Sequence, residues 1–314
     1  MTTLAVLVAT WSDGLLVVSG ESRHQELANQ SVGALAPDGR GGALAIVDGH
    51  SLCRRAPDGV WSTIAIAEFG LACSVAVDDV IYVGTNDACV LRVNAAGEIE
   101  QLRGFDSVAG RETWYAGAAL IDGKLVGPPL GVRSMTATSD GAVLLANVHV
   151  GGIPRSLDGG ATWQPTIDVD TDVHEVRAHL NRANVVVAAA AAGLCLSSDA
   201  GATWKVETEG LHVSYCSAVA FAGDDILVSA SADHFAPHGA IYRRGVDESG
   251  PLGKVAGGLP VWLGGIVDTR CIATNGLAIA VADKIGTLYV SMDAGRTWSR
   301  RAGGMPTPSS VLIV

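Results

Sequence analysis

The sequence predicts an all-β domain built from radially repeated units, and three observations carry that prediction. An eight-residue pattern, S-x-D-x-G-x-T-W, occurs three times, at residues 156–163, 197–204 and 291–298. Its spacing is regular, with 41 residues from Ser156 to Ser197 and 94, twice 47, from Ser197 to Ser291. Around these copies, short apolar runs alternate with turns rich in Asp, Asn and Gly, as strands do. A fixed period in this range marks an array of like supersecondary units. At 314 residues the chain could hold two domains, but radial all-β folds run this long as one closed unit.

The octapeptide explains itself chemically. Ser and Asp oxygens accept backbone N–H groups within a tight hairpin turn, Gly supplies a positive φ, and Trp covers the result. These residues are therefore read as structural. The motif resembles the Asp-box, or BNR repeat, of sialidases, sortilin-type receptors and photosystem II assembly factors, where it lies between the third and fourth strands of a propeller blade. The resemblance implies a β-propeller; it does not by itself imply a reaction.

The 94-residue interval requires a degenerate blade, and Gly239-Ala240-Ile241-Tyr242-Arg243-Arg244 parallels Gly286-Thr287-Leu288-Tyr289-Val290-Ser291. Upstream, Arg92-Val93-Asn94-Ala95-Ala96-Gly97 and the segment from Arg55 to Trp61 read as eroded copies, and a first hairpin runs from Leu15 to Leu27. The total is seven blades, about 45 residues each, the length a four-stranded blade uses. Ser310-Val311-Leu312-Ile313-Val314 falls where an inner strand would begin, whereas the N-terminus opens at a second strand. The two ends are expected to complete one blade and so remove an open sheet edge. The reading is a single domain over residues 1–314 with an inserted loop at 105–130 on the upper face.

Composition narrows the function classes. With 48% hydrophobic and 17% charged residues the chain can bury a core, which excludes intrinsic disorder. A net charge of −11 disfavours nucleic acid and anionic membranes as partners. The six cysteines are irregularly spaced without C-x-x-C and read as free, mostly buried thiols. The start, Met1-Thr2-Thr3 followed by Leu4-Ala5-Val6-Leu7-Val8-Ala9, lacks a basic segment and a cleavage site, and the longest apolar stretch, 185–196, is too short to span a bilayer. A soluble, cytoplasmic protein is expected.

In a four-stranded meander the 1–2 and 3–4 turns share one face, and the 2–3 loops and blade connections share the other. His50, His149, His234 and His238 map to 2–3 loops and His174 and His212 to connections, so six of eight histidines fall on the second face. Histidine there can bind metal, move protons or hold an anion. His149, His174 and His234 are the candidates for catalysis or metal ligation. The run His174-Glu175-Val176-Arg177-Ala178-His179 misses H-E-x-x-H by one residue. Arg133, Arg177 and Arg270 lie 23, 20 and 21 residues before the motif serines, which suggests three guanidiniums at the start of inner strands converging on a carboxylate or phosphate. The competing reading pairs each with an acid such as Glu175 or Asp268.

In the insert, Trp114 and Tyr115 are expected to lid the pocket or pack onto the upper face, with a hairpin turning at Asp122-Gly123. Tyr215 and Trp262 are expected to line the same bowl. The sequence carries no G-x-S-x-G elbow, P-loop, G-x-G-x-x-G or paired-cysteine zinc spacing; no cofactor is required by any motif and no metal is assigned. Sialidase activity is not expected, since the Arg-Ile-Pro signature is absent and no Tyr–Glu pair can be placed. Length and blade count look most like the photosystem II assembly-factor type, a binding scaffold. The expected function is thus a binding or assembly module for a small anionic ligand or a protein partner. The alternative is a hydrolase or lyase acting on a small anionic compound, with or without a metal.

Overall fold

In the computed structural model, which describes residues 4–117, 119–121, 124–126 and 129–314, the chain forms seven four-stranded antiparallel sheets arranged as a seven-bladed propeller. Blades 2 to 7 begin with inner strands Val32–Pro37, Leu71–Val77, Val132–Ala137, Val173–Ala178, Cys216–Ala222 and Ile272–Asn275. Blade 1 takes its inner strand from the other end of the chain: Pro308–Ile313 pairs with Val6–Thr10, followed outward by Leu15–Ser19 and Ser22–Glu26. Blade 6 carries a further short strand, Leu263–Gly264, on His238–Gly239.

Second strands such as Ala43–Val47, Val186–Ala190 and Ala278–Ala282 are buried at every position. Neighbouring blades cover both of their faces, so the alternation of a half-exposed strand disappears, and alanines let the blades crowd together. Among the described residues no helix is long and apolar enough to cross a membrane.

An inner strand is a sheet edge, and its free N–H groups need partners. Side chains from the preceding blade supply them. Ser134 and Thr136 of blade 4 accept from Val176 and Ala178 of blade 5, and Ser310 accepts from Leu35 across the closure. Between blades 5 and 6 that role falls to Glu175, whose Oε2 accepts from Val219 at 3.1 Å. A buried carboxylate thus replaces a hydroxyl next to the channel axis.

The three S-x-D-x-G-x-T-W turns share one hydrogen-bond set. Asp199 Oδ1 accepts from the Ala202 and Thr203 amides and the Ser197 hydroxyl, and Oδ2 accepts from the Thr203 hydroxyl. Gly201, at φ 78°, donates its amide to Ser197 Oγ, a conformation that disfavours a Cβ. Burial would raise the Asp199 carboxyl, but these donors outweigh it and hold it at about 2. Asp199→Ala should therefore cost about 1–3 kcal/mol in chemical denaturation while leaving ligand binding by the folded fraction unchanged. Loss of binding with unaltered stability would refute the structural role.

Candidate functional site at the channel mouth

The inner strands of blades 4 and 5 open with a β-bulge. The ladder passes from Val132 to Ser134 and from Val173 to Glu175, so Arg133 and His174 are the residues it skips. Bulges re-aim side chains, and these two sit at the mouth of the channel on the face that carries the 2–3 loops. His149 follows the second strand of blade 4, and Asp172 ends a 3₁₀ turn just before His174, with its backbone in the left-handed region at φ 52°.

Together His149, Asp172 and His174 form a compact cluster, with one donor atom from each lying within 4.8 Å of the others. Asp172 Oδ1 is 3.3 Å from His149 Nε2 and 3.7 Å from His174 Nε2. His149 and His174 are buried, at 6% and 2% exposure. His174 Nδ1 lies 2.6 Å from the Cys216 carbonyl, which can only accept, so Nδ1 carries the proton. Nε2 is then the nitrogen that faces the Asp172 carboxylate, and both atoms are buried without a hydrogen-bond partner among the described residues. Such buried atoms call for a missing partner.

Electrostatics keep His149 and Asp172 in ligating form. Burial, then the Arg133 guanidinium and His174, depress the His149 imidazole to about 3. Burial alone would raise Asp172, but His174, His149 and Arg133 outweigh it and hold the carboxyl below its usual range. Neutral imidazoles and an ionised carboxylate are what a cation requires.

Around this cluster stand Arg133, Asp268, His234 and Tyr215. Arg133 Nη2 is 4.0 Å from Asp268 Oδ1 and 3.4 Å from Thr269 Oγ1. His234 Nδ1 is 3.9 Å from Asp268 Oδ2. The Tyr215 ring packs on His174 with centroids 4.7 Å apart. From the insert, Gly117 lies against His149 so closely that a Cβ there would sit 2.0 Å from the ring.

The three arginines do not share one mouth. Arg270, buried with its backbone at φ 66°, crosses the axis to donate to the carbonyls of Arg133 (2.5 Å) and Gly33 (3.3 Å), while its amide donates to Glu175 Oε2. Arg177 is the fifth residue of its strand, not the first, and Nη2 meets Glu175 Oε1 at 2.6 Å from the opposite side. It faces a cavity of about 420 Å³ at the other mouth, bordered also by Leu35, Phe221, Thr274 and Val314. Glu175 thus lies between Arg270 and Arg177 and plugs the channel waist.

The aromatic expectations divide. Trp114 is buried against Phe105, with centroids 5.7 Å apart, and Arg111 lies over its ring, so it anchors the insert rather than lidding the pocket. Tyr115 is exposed and its amide donates to Val150. The insert's hairpin pairs Ala119–Ile121 with Lys124–Val126; its turn, Asp122-Gly123, lies outside the described residues. Trp262 sits away from the mouth, beside His212 and His238 and under the Lys254 ammonium at 3.3 Å. His50 stays apart as well, near the Phe69 carbonyl. Asp172 is the member that sequence reasoning missed; its only signal was the D-x-H spacing to His174, inside the acid-rich run Asp168 to Asp172.

No protein-family model and no curated protein matches the chain. Solved structures do resemble it. Apo AztD from Citrobacter koseri aligns at a TM-score of 0.62 with 11% identity, covering 100% of this chain and 98% of that one. YCF48 bound to a D1 peptide aligns at 0.57 with 12% identity, covering 96% and 86%. The extracellular domain of the hybrid two-component system BT4673 from B. thetaiotaomicron aligns at 0.59 with 13% identity, covering 93% of this chain. The chain spans only 34% of that last protein. At these identities the likeness establishes the propeller fold alone.

Proposed function

We propose that this propeller is a binding module that holds one divalent first-row transition-metal ion at its channel mouth, with His149, Asp172 and His174 as the ligands. One observation carries the reading: His174 Nε2 and Asp172 Oδ1 face each other, buried and unpartnered, with His149 Nε2 beside them. Two imidazoles and one carboxylate suit zinc, iron or cobalt better than magnesium or calcium, which prefer oxygen alone. The Cys216 carbonyl on His174 Nδ1 is the outer contact that orients such a ligand.

The chain's length and seven blades, which look most like the photosystem II assembly-factor type of propeller, support a scaffold role. A second reading, a metal-dependent hydrolase or lyase for a small anionic substrate, is favoured by the coordination positions that three protein ligands leave free. A protein partner belongs to the scaffold reading. Six free thiols, five of them buried, support a cytoplasmic setting.

Protein stripped with a chelator and titrated with zinc by calorimetry tests the proposal. The expected result is about one ion per chain with Kd tighter than about 1 μM, or about 8 kcal/mol. Absence of binding, or several weak sites, would refute it.

A further inference from the structure

Arg133 differs from the arginines that a carboxylate holds closely, and from Arg270, whose guanidinium is taken up by two carbonyls. Arg55 meets Glu26 at 2.8 Å and Arg177 meets Glu175 at 2.6 Å, as charge-assisted pairs do. The Arg133 side chain is only 18% exposed, yet its nearest carboxylate oxygen, on Asp268, is 4.0 Å away, and its one hydrogen bond, to Thr269 Oγ1, is long at 3.4 Å. Asp268 therefore balances its charge without occupying the two-pronged face of the guanidinium.

We propose that the metal-loaded mouth takes a small oxyanion, a carboxylate or phosphate group, held between the ion and the Arg133 guanidinium. The inference rests on the metal reading above and goes further by naming the ligand class. Arginine's planar fork matches two oxygens of such a group, while a third can enter a coordination position that His149, Asp172 and His174 leave open. Tyr215 adds a third contact. Its ring packs on His174, with centroids 4.7 Å apart. Its hydroxyl makes no hydrogen bond among the described residues and is free to donate.

Charge sets the order of binding. With neutral histidines, Asp172, Asp268 and Arg133 leave the empty mouth with one net negative charge, while Arg270 and Arg177 flank Glu175 beneath it. With those three counted the six charges cancel, so the empty mouth offers an anion no net attraction. A divalent ion makes the balance positive, so the oxyanion binds second and only to the loaded site. This differs from a bare arginine triad, which would bind anions without metal.

The test starts from protein loaded with zinc, freed of excess metal by gel filtration and shown to hold one ion. Inorganic phosphate and acetate are then titrated in parallel into loaded and chelator-stripped protein, with calorimetry and melting temperature as readouts. At least one of the two should bind the loaded protein and raise its melting temperature, and neither should act on stripped protein; which arm responds separates the phosphate from the carboxylate source. Arg133→Gln should still take up one zinc while its anion affinity falls at least tenfold, and Arg133→Lys should recover only part, since an ammonium lacks the fork. Zinc uptake with no response to either anion would overturn this proposal and leave the metal reading standing, as would an unchanged anion affinity in Arg133→Gln. Absence of zinc uptake would overturn both.

Discussion

Removal of residues 308–314 is expected to abolish the monomeric folded protein. Pro308–Ile313 is the inner strand of blade 1, hydrogen-bonded along Val6–Thr10 and buried at every position. Val311, Leu312 and Ile313 each contribute about 1.5–3 kcal/mol by burial, and together they approach the ~5–15 kcal/mol that a whole domain retains. The loss extends beyond this strand. Ser309 and Ser310 bond to Val32 and Leu35 of blade 2, so blades 1 and 2 part as the strand leaves, and Val6–Thr10 becomes an open apolar edge. Size-exclusion chromatography should show aggregates, and any soluble fraction should lose its cooperative melt. A truncated chain that stays monomeric and melts like the parent would contradict the closure.

The second large effect is chemical. Asp172→Asn preserves shape, and the amide can donate to His174 Nε2 where the carboxylate could not. The metal-free protein should therefore melt within a few degrees of the parent, while zinc affinity falls at least 100-fold because the only anionic ligand is lost. His174→Ala should abolish uptake as well, but it also strands the Cys216 carbonyl and costs about 1–3 kcal/mol of stability. The pair separates ligation from folding: one variant changes binding alone, the other both. Unchanged zinc affinity in Asp172→Asn would remove that residue from the site.

What could be read beforehand follows from the range of each interaction. The octapeptide turns were legible because their bonds join residues two to four apart, as Ser197, Asp199, Gly201 and Thr203 do. Blade count and ring closure followed from arithmetic on those turns. His149, His174 and His234 were legible as residues of one face, since the meander alternates its loops. Asp172 was not, because nothing in Asp168-Val169-Asp170-Thr171-Asp172 shows which acid the left-handed residue will turn inward.

Arg177 departs from the expected mouth because the interval to the motif serine does not fix a residue's height along the inner strand. Its interval is three residues shorter than that of Arg133, and three residues of strand are about 10 Å, enough to carry a side chain from one mouth past the waist to the other. The bulges that aim Arg133 and His174 likewise leave no mark in composition. Trp262 was drawn away by the added strand Leu263–Gly264 on blade 6, a pairing between segments 24 or more residues apart that no local pattern announces.

The central claim is that a metal ion occupies the gap between His149, Asp172 and His174. Anomalous diffraction from zinc-soaked crystals, recorded on both sides of the zinc absorption edge, locates the ion without assumption. The account predicts one strong peak about 2.0–2.2 Å from His149 Nε2, His174 Nε2 and Asp172 Oδ1. A fully occupied peak elsewhere, for example between His212 and His238, with nothing at the channel mouth, would contradict it.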